Sequence, residues 1–156
     1  TPHYTFMEFN MPSAVKTNTK KEAVEQYTDE LCKALAEDYR QYHLRSMERM
    51  HAESASEYTR KEIEATKNGT AKLIKFVVYV GRKYYKIVQQ DWDPLREEYR
   101  DGSVNTFVDK KTGDVYKPAS WAAPHTKHVR YNLLDEASRA ECLGRADWAG
   151  GYLYMR

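Results

Sequence analysis

The local preference of this chain changes abruptly at Thr70, from helix to strand. Residues 20–50 contain no glycine, no proline and few β-branched residues, which is the composition of a helix. A second helical stretch at 57–67 stops at Asn68 and Gly69, two residues that tolerate the left-handed backbone conformation. Residues 73–80 are then apolar and rich in β-branched side chains, as strands are. The chain must therefore combine a long helical segment with a sheet.

The helical segment carries one apolar stripe. Val24, Tyr27, Leu31, Leu35 and Tyr42 recur near helical spacing, and charged residues cover the other side. The pattern weakens at 51–56, so one bent helix and two consecutive helices both fit. Either arrangement is too long to lie on a small sheet without projecting beyond it, which indicates a partner.

Two β-hairpins are predicted after Thr70. The first joins 73–80 to 84–89 through a two-residue turn at Gly81 and Arg82. The second joins 104–108 to 115–118, with Gly113 in the left-handed position of its loop. Between the hairpins, residues 91–101 form an acidic connector around Pro94 that could hold a short helix. We expect a four-stranded antiparallel sheet under the helical segment, and so an α+β fold.

The whole chain, 1–156, is expected to form a single domain, which its length suits. Its parts are an N-terminal arm or first strand at 1–19, the helical part at 20–68, the antiparallel sheet at 70–118 and an irregular C-terminal strap at 119–156. Within the strap, residues 135–143 predict a short helix that ends at Gly144. The tail at 148–156 is expected to be docked, because disordered tails are poor in aromatic residues.

Composition and charge exclude several classes of protein. Hydrophobic residues make up 41% and charged residues 31%, which argues against disorder, and a net charge of +2 gives no global basic field. No apolar run approaches the ~20 residues of a membrane span, and the N-terminal residues lack the pattern of a signal peptide. Cys32 and Cys142 favour two free thiols in a reducing compartment. We expect a soluble intracellular product with no membrane partner.

A basic and aromatic sheet is the first candidate site. Residues 70–90 contain five positive charges and no acid, and aromatic residues are interleaved with them. Basic side chains pair with phosphates and aromatic rings stack on unpaired bases, so the pattern predicts a surface for single-stranded nucleic acid. The alternative is that the rings are core and the lysines line a solvent face or an edge strand. The predicted surface residues are Lys72, Lys75, Arg82, Lys83, Tyr84, Tyr85 and Lys86.

A second basic stretch extends this predicted surface. Lys117, Trp121, Lys127 and Arg130 lie in or beside a proline-punctuated segment, and tryptophan and arginine are frequent interface anchors. Its alternative is a strap across the sheet in which Trp121 fills the core.

Other chemistry has weaker support. Asp109, Asp114 and Lys117 resemble the acidic-then-lysine pattern of some metal-dependent nucleases, but both aspartates flank a turn, where aspartate is common for local reasons. His125, His128 and Cys142 lack the spacing of a zinc site and give no sign of an activated thiol. No phosphate-binding loop, dinucleotide fingerprint or serine-hydrolase motif occurs in the sequence. We therefore predict no metal, no cofactor and no catalytic residue.

The long helical segment supports a different class of function. Tyr39, Tyr42, Met47 and Met50 could form a stripe that binds a protein partner, since exposed methionine and tyrosine are common at interfaces. The same stripe could equally pack against the protein's own sheet. A protein–protein module or a homo-oligomer is therefore the alternative to nucleic-acid binding.

The last third of the chain resembles a motif in small uncharacterised proteins of tailed bacteriophages, especially marine ones. The resemblance rests on Val115-Tyr116-Lys117-Pro118-Ala119-Ser120-Trp121, Ala123-Pro124, Lys127, Arg130 and Asn132, with Leu143-Gly144-Arg145 and Tyr152-Leu153 following in the same order. The chain departs from the motif in having Tyr131 where those proteins usually have glycine, and in its Asp147–Gly151 run. The resemblance implies a phage origin, and so the host cytoplasm or the virion, and it implies no reaction. We expect a non-enzymatic accessory protein that binds nucleic acid. In a phage, the protein–protein alternative is either a virion component or an inhibitor of a host protein, and a small metal-dependent nuclease is the third choice.

Overall fold

A computed structural model describes residues 5–7 and 19–155. Within these residues, three α-helices and a short 3-10 helix accompany a six-stranded antiparallel sheet. This architecture confirms the predicted α+β class. The elements are β1 (Thr5–Met7), α1 (Lys20–Glu53), α2 (Glu57–Asn68), β2 (Lys75–Val80), β3 (Tyr84–Asp93), β4 (Glu98–Asp109), β5 (Asp114–Tyr116), β6 (Tyr131–Asn132), α3 (Glu136–Arg145) and the 3-10 helix (Gly151–Leu153).

Helix α1 packs on the sheet only with its first half. Thr19 caps the helix by accepting a hydrogen bond from the amide of Glu22, and the buried side chains of α1 lie between Val24 and Leu35. A 34-residue helix is roughly 50 Å long, whereas the six-residue strand β2 spans roughly 20 Å. The second half of α1 therefore extends past the sheet, as the sequence predicts.

The projecting half of α1 is paired with α2. Helical structure is interrupted at residues 54–56, so the structure contains two consecutive helices rather than one bent helix. His43 Nε2 lies 2.9 Å from Glu62 Oε1, and His51 Nδ1 lies 2.7 Å from Thr59 Oγ1. Gly69 ends α2 in the left-handed conformation, as predicted. These contacts define a helical hairpin held mainly by polar pairs.

The sheet is a meander in which every strand pairs with its neighbour in the sequence. Because side chains alternate along a strand, each strand directs one set of side chains toward α1 and the other set toward the opposite face of the sheet. The inner face, which packs on α1, contains Phe76, Val78, Tyr85, Ile87 and Val108 among its buried residues. The outer face, on the other side, contains Tyr79, Lys86, Val88, Phe107 and Tyr116.

The predicted acidic connector is wrong, because residues 91–93 belong to β3 and residues 98–101 to β4. Asp93 pairs with Glu98, and residues 94–97 make the turn between β3 and β4. Trp92 and Tyr99 face each other across the two strands with ring centroids 5.1 Å apart, a contact that favours the hairpin over a helix. The predicted four strands also become six, because β1 and β6 add one strand at each edge.

The turns of the two predicted hairpins are close to expectation. The first is shifted by one residue: Gly81 N donates to Tyr84 O, which leaves Arg82 and Lys83 as the two turn residues. In the second, Gly113 N donates to Asp109 O, and Gly113 has a φ of 77°. Its left-handed conformation confirms the prediction for that position.

The C-terminal strap is anchored to the sheet and to α1. Asp135 caps α3, which lies within a residue or two of the predicted helix. The tail is docked as predicted: Tyr152 and Leu153 are buried, and Tyr131 Oη donates to Tyr152 O. Trp148 packs its ring against Tyr39 of α1 at 5.1 Å. In the N-terminal arm, β1 supplies the predicted first strand, while residues 1–4 and 8–18 lie outside the described part.

Cys32 and Cys142 are free and buried. Burial raises the pKa of the Cys142 thiol to about 12 and the pKa of Cys32 further still, so neither thiol is activated. Among the helices of the described residues, none is both long and apolar enough to cross a bilayer.

Candidate nucleic-acid interface

The basic residues predicted on β2 and β3 do not form one continuous surface. Arg82 and Lys83 occupy the exposed turn at one end of these strands, and Lys75 begins β2 at the other end. Lys72 lies at that second end as well, just before β2. Lys86 lies between the two ends, on the outer face.

Lys86 is not accessible to a ligand in this structure. Its side chain has 0% exposure, its Nζ donates to Trp121 O at 3.0 Å, and Nζ lies 4.0 Å from the centroid of the Trp121 ring. Burial lowers the pKa of Lys86, while the charge of Asp101 acts in the opposite direction. Trp121 thus covers a lysine that the sequence predicts for phosphate contact; the segment crosses the sheet as the strap alternative anticipated, but Trp121 is 43% exposed and does not fill the core.

The two tyrosines of the predicted surface lie on opposite faces of the sheet. Tyr85 is 2% exposed on the inner face, and burial raises its pKa to about 12. This position removes Tyr85 from any surface that could stack on a base. Tyr84 lies on the outer face, partly exposed, with its ring edge-on to Phe107 at 5.9 Å and to Tyr116 at 6.2 Å.

Lys72 and Lys75 cover aromatic rings at the end of the sheet remote from Arg82. Lys72 Nζ lies 4.7 Å from the centroid of Trp92, and Lys75 Nζ lies 4.2 Å from that of Tyr99. Both lysines are exposed, but the residues they cover belong to the acidic hairpin at 91–101. Negative charge therefore surrounds this end of the predicted surface.

A cluster of cations that the sequence did not reveal surrounds the other end. Three segments meet there: the start of α1, the β2–β3 turn and the β4–β5 turn. They line a cleft of about 820 Å³. Lys110 joins the two turns, since its amide donates to Lys83 O at 3.0 Å and its Nζ donates to Gly81 O at 3.1 Å. The six cations of this cleft, called here the basic end, are Lys20, Lys21, Arg82, Lys83, Lys110 and Lys111.

Little in the described structure neutralises the basic end. None of its six cations lies within 4.0 Å of a carboxylate of the residues described. Asp109, the one acid that lines the cleft, uses Oδ1 to accept hydrogen bonds from the amides of Lys111 and Thr112. The positive end of the α1 dipole adds to the same field. The basic end is therefore a concentrated positive patch on a protein of nearly neutral net charge.

Sequence reasoning found two of these six residues and missed four. Lys20 and Lys21 were assigned only to a helix, and Lys110 and Lys111 only to a turn. One signal was present, because lysine is unfavourable in the first turn of a helix, where the dipole is positive. Two consecutive lysines at that position, beside the single first-turn acid Glu22, indicate a requirement other than helix stability.

The second basic stretch holds the strap rather than joining the basic end. Lys117 Nζ lies 4.5 Å from the centroid of Tyr154, and Arg130 Nε donates to Leu153 O at 2.5 Å. Both side chains thereby fix the C-terminal tail. Trp121 is 43% exposed above Lys86, and Lys127 is exposed. None of these four residues lines the basic cleft.

The residues of the other predicted chemistries have local structural roles. Asp114 Oδ1 accepts a hydrogen bond from Asn132 Nδ2 at 2.8 Å, and Asp109 closes its own turn. In the described residues, no three side chains of histidine, cysteine, aspartate or glutamate are grouped so that they could hold a metal ion. The nuclease interpretation gains no support from these contacts.

A family model, described as a family of unknown function (DUF7717), matches residues 6–155, and the chain therefore belongs to this family. The match includes the long helical part as well as the C-terminal third. No curated protein and no solved structure matches the chain.

Proposed function

We propose that this member of the DUF7717 family is a non-enzymatic protein that binds nucleic acid through the basic end. The observation that carries the proposal is the convergence of six cations from three separate segments of the described chain on one cleft of about 820 Å³, where Asp109 is the one carboxylate that the described residues contribute. Several cations spaced across a cleft suit a ligand with several phosphates. A nucleic-acid backbone has that chemistry, and its binding is dominated by such contacts.

Single-stranded nucleic acid remains the first choice within this proposal. Tyr84 follows Lys83 directly and lies on the outer face, where its ring meets that of Tyr116. Both rings are partly exposed, and base stacking on an aromatic ring contributes roughly 1–3 kcal/mol per base. A strand whose phosphates lie in the basic end could place its bases on these rings. The proposed binding surface therefore lies at one end of the sheet, and not across its middle as the sequence predicts.

The motif shared with tailed-bacteriophage proteins supports a setting for this activity. We propose that the protein is a phage accessory protein that acts in the host cytoplasm or as part of the virion. In either place it would meet phage nucleic acid during replication, packaging or entry.

The test compares two double variants with the same change in charge. The basic-end variant carries Arg82→Glu and Lys83→Glu, and the control carries Lys72→Glu and Lys75→Glu at the other end of the sheet. Binding of a fluorescent single-stranded oligonucleotide is measured from low to physiological salt. We expect the basic-end variant to bind more weakly, with a slope of log affinity against log salt that is smaller by roughly 1 to 2, because two phosphate contacts are lost.

The control decides between the basic end and the surface first predicted on the strands. A control that binds like the parent protein supports the basic end. Equal losses in both variants would favour the wider sheet surface. A parent protein that binds no nucleic acid at low salt would reject the proposal altogether. A duplex of the same sequence, measured in parallel, tests the preference for single strands.

A protein–protein module remains the second candidate because of the helical hairpin. The buried residues of α2 are only Thr59 and Thr66, and Tyr42, Met50 and Tyr58 are exposed on the two helices. A hairpin with so little core of its own is typical of a surface that a partner covers. The expected partner is a virion or host protein, and the measurement is whether Tyr58→Lys abolishes a complex recovered from infected cells while nucleic-acid binding persists.

A further inference from the structure

The two ends of the β3–β4 hairpin carry opposite charges. At one end the strands meet the basic end. At the other, residues 91–101 form what is called here the acidic arm, which has five carboxylates and two arginines. The pairing of β2 with β3 ends at Lys75 and Gln90. Residues 91–93 of β3 pair only with β4, so the arm extends past the end of β2.

The tip of the acidic arm is built to be exposed. Leu95 has 95% exposure, and Glu97 adopts a left-handed conformation with a φ of 52°. Glu97 and Glu98 are exposed, and neither forms an ion pair with another described residue. The other carboxylates of the arm have partners: Asp101 accepts from Tyr79 Oη at 2.6 Å, and Asp93 lies 3.6 Å from Arg100. The tip therefore presents two available carboxylates beside one exposed leucine.

The acidic arm cannot reach the basic end of its own molecule. The tip of the arm and the basic end lie at opposite ends of the ten-residue strand β3, and an antiparallel strand of that length spans roughly 30 Å. Both ends are fixed in one rigid ladder by the pairing of β3 with β4. An interaction between the two patches must therefore join two molecules.

We propose that the acidic arm of one molecule docks in the basic end of a second copy. Glu97 and Glu98 meet the cations of the cleft, which form no ion pair with a carboxylate of the described residues, and Leu95 packs on the aliphatic stems of its lysines. The contact is heterologous, because each molecule uses a different patch toward each neighbour, so repetition builds open chains. The inference uses the same basic end as the proposed function, but it does not depend on nucleic acid binding there.

Neutral variants of each patch allow a specific test by sedimentation velocity at low salt. The arm variant carries Glu97→Gln and Glu98→Gln, and the cleft variant carries Arg82→Gln and Lys83→Gln. We expect the parent protein to form species larger than a dimer that dissociate as salt rises, and each variant alone to be monomeric. A mixture of the two variants should form a dimer and nothing larger, because one intact arm meets one intact cleft.

The outcomes separate this inference from the proposed function. A parent protein that stays monomeric at low salt, or an arm variant that associates like the parent, would overturn the head-to-tail contact. The arm variant should still bind the oligonucleotide with the parent's salt dependence, since its cleft is intact. If the cleft does accept nucleic acid, the oligonucleotide should dissociate the parent's chains. A parent protein that self-associates but binds no oligonucleotide would reject the proposed function and leave the head-to-tail contact standing.

Discussion

The two faces of the sheet are both covered, but by different kinds of structure. The inner face is buried by the apolar stripe of α1, with Val24, Leu31 and Leu35 against the strands. The outer face is covered at its centre by the first part of the strap, where Trp121 lies over the buried Lys86, whereas Tyr131, Tyr152 and Leu153 of the same strap pack in the inner core. The comparison shows that one set of strands can belong to a helix-packed core on one side and, on the other, to a layer in which a buried lysine under Trp121 joins the buried apolar side chains of Val88 and Phe107.

The largest expected effect lies on the inner face. Ile87 is fully buried at its centre, so Ile87→Ala should lower the free energy of unfolding by about 2–5 kcal/mol, through lost burial and the cavity that remains. Val88→Ala on the outer face is the matched control, because Val88 is also fully buried; its expected loss is about 1.5 kcal/mol, since the change removes one carbon fewer than Ile87→Ala. Urea unfolding measures both. Equal losses would show that the outer face is packed as firmly as the inner one.

The second effect concerns the strap. Trp121→Ala should cost about 1–2 kcal/mol of stability, less than for a fully buried tryptophan, because the ring is 43% exposed. The same change should hydrate Lys86, and the lowered pKa of Lys86 should rise toward its ordinary value. Titration of the Lys86 side chain by NMR, in the parent protein and in the variant, measures this shift. An unchanged pKa would mean that burial by the sheet, rather than Trp121, controls Lys86.

The difference between the faces also explains what the sequence could predict. The inner face follows from local patterns, because strand alternation and helical spacing both mark its residues. The cover over Lys86 depends on Trp121, which is 35 residues away, and no local pattern encodes that contact. The basic end likewise needs the topology, since its cations come from three segments that only the meander brings together.

The acidic arm shows a different reason for failure. Aspartate, glutamate and proline are all depleted in strands, so residues 91–101 read as a connector. Their strand conformation comes from pairing, with Trp92 against Tyr99 and the Tyr99 hydroxyl donating to Leu73 O at 2.8 Å. In the acidic arm, tertiary contacts therefore outweigh the local conformational preference of the residues.

The smallest effect at neutral pH is expected for Tyr85→Phe on the inner face. Removing one hydroxyl while keeping the ring should change stability by about 1 kcal/mol or less. The difference should appear in alkali. The pKa of Tyr85 is raised from 10.0 to about 12 in the folded protein, so between these values the unfolded chain loses a proton that the folded protein keeps. Stability contributed by Tyr85 is therefore complete below pH 10 and falls as the pH rises toward 12.

Tyr85→Phe should accordingly make the alkaline loss of stability shallower without abolishing it, because burial also raises the pKa of Tyr152 on the same side of the sheet. Urea midpoints measured at neutral pH and across pH 10 to 12 give the two slopes. Tyr116→Phe on the outer face is the comparison: burial also raises the pKa of Tyr116, but this side chain is partly exposed, so its removal should change the slope less. If both variants had equal slopes, the inner face would be no drier than the outer one around these rings, and the contrast between a helix-packed side and a strap-covered side would fail.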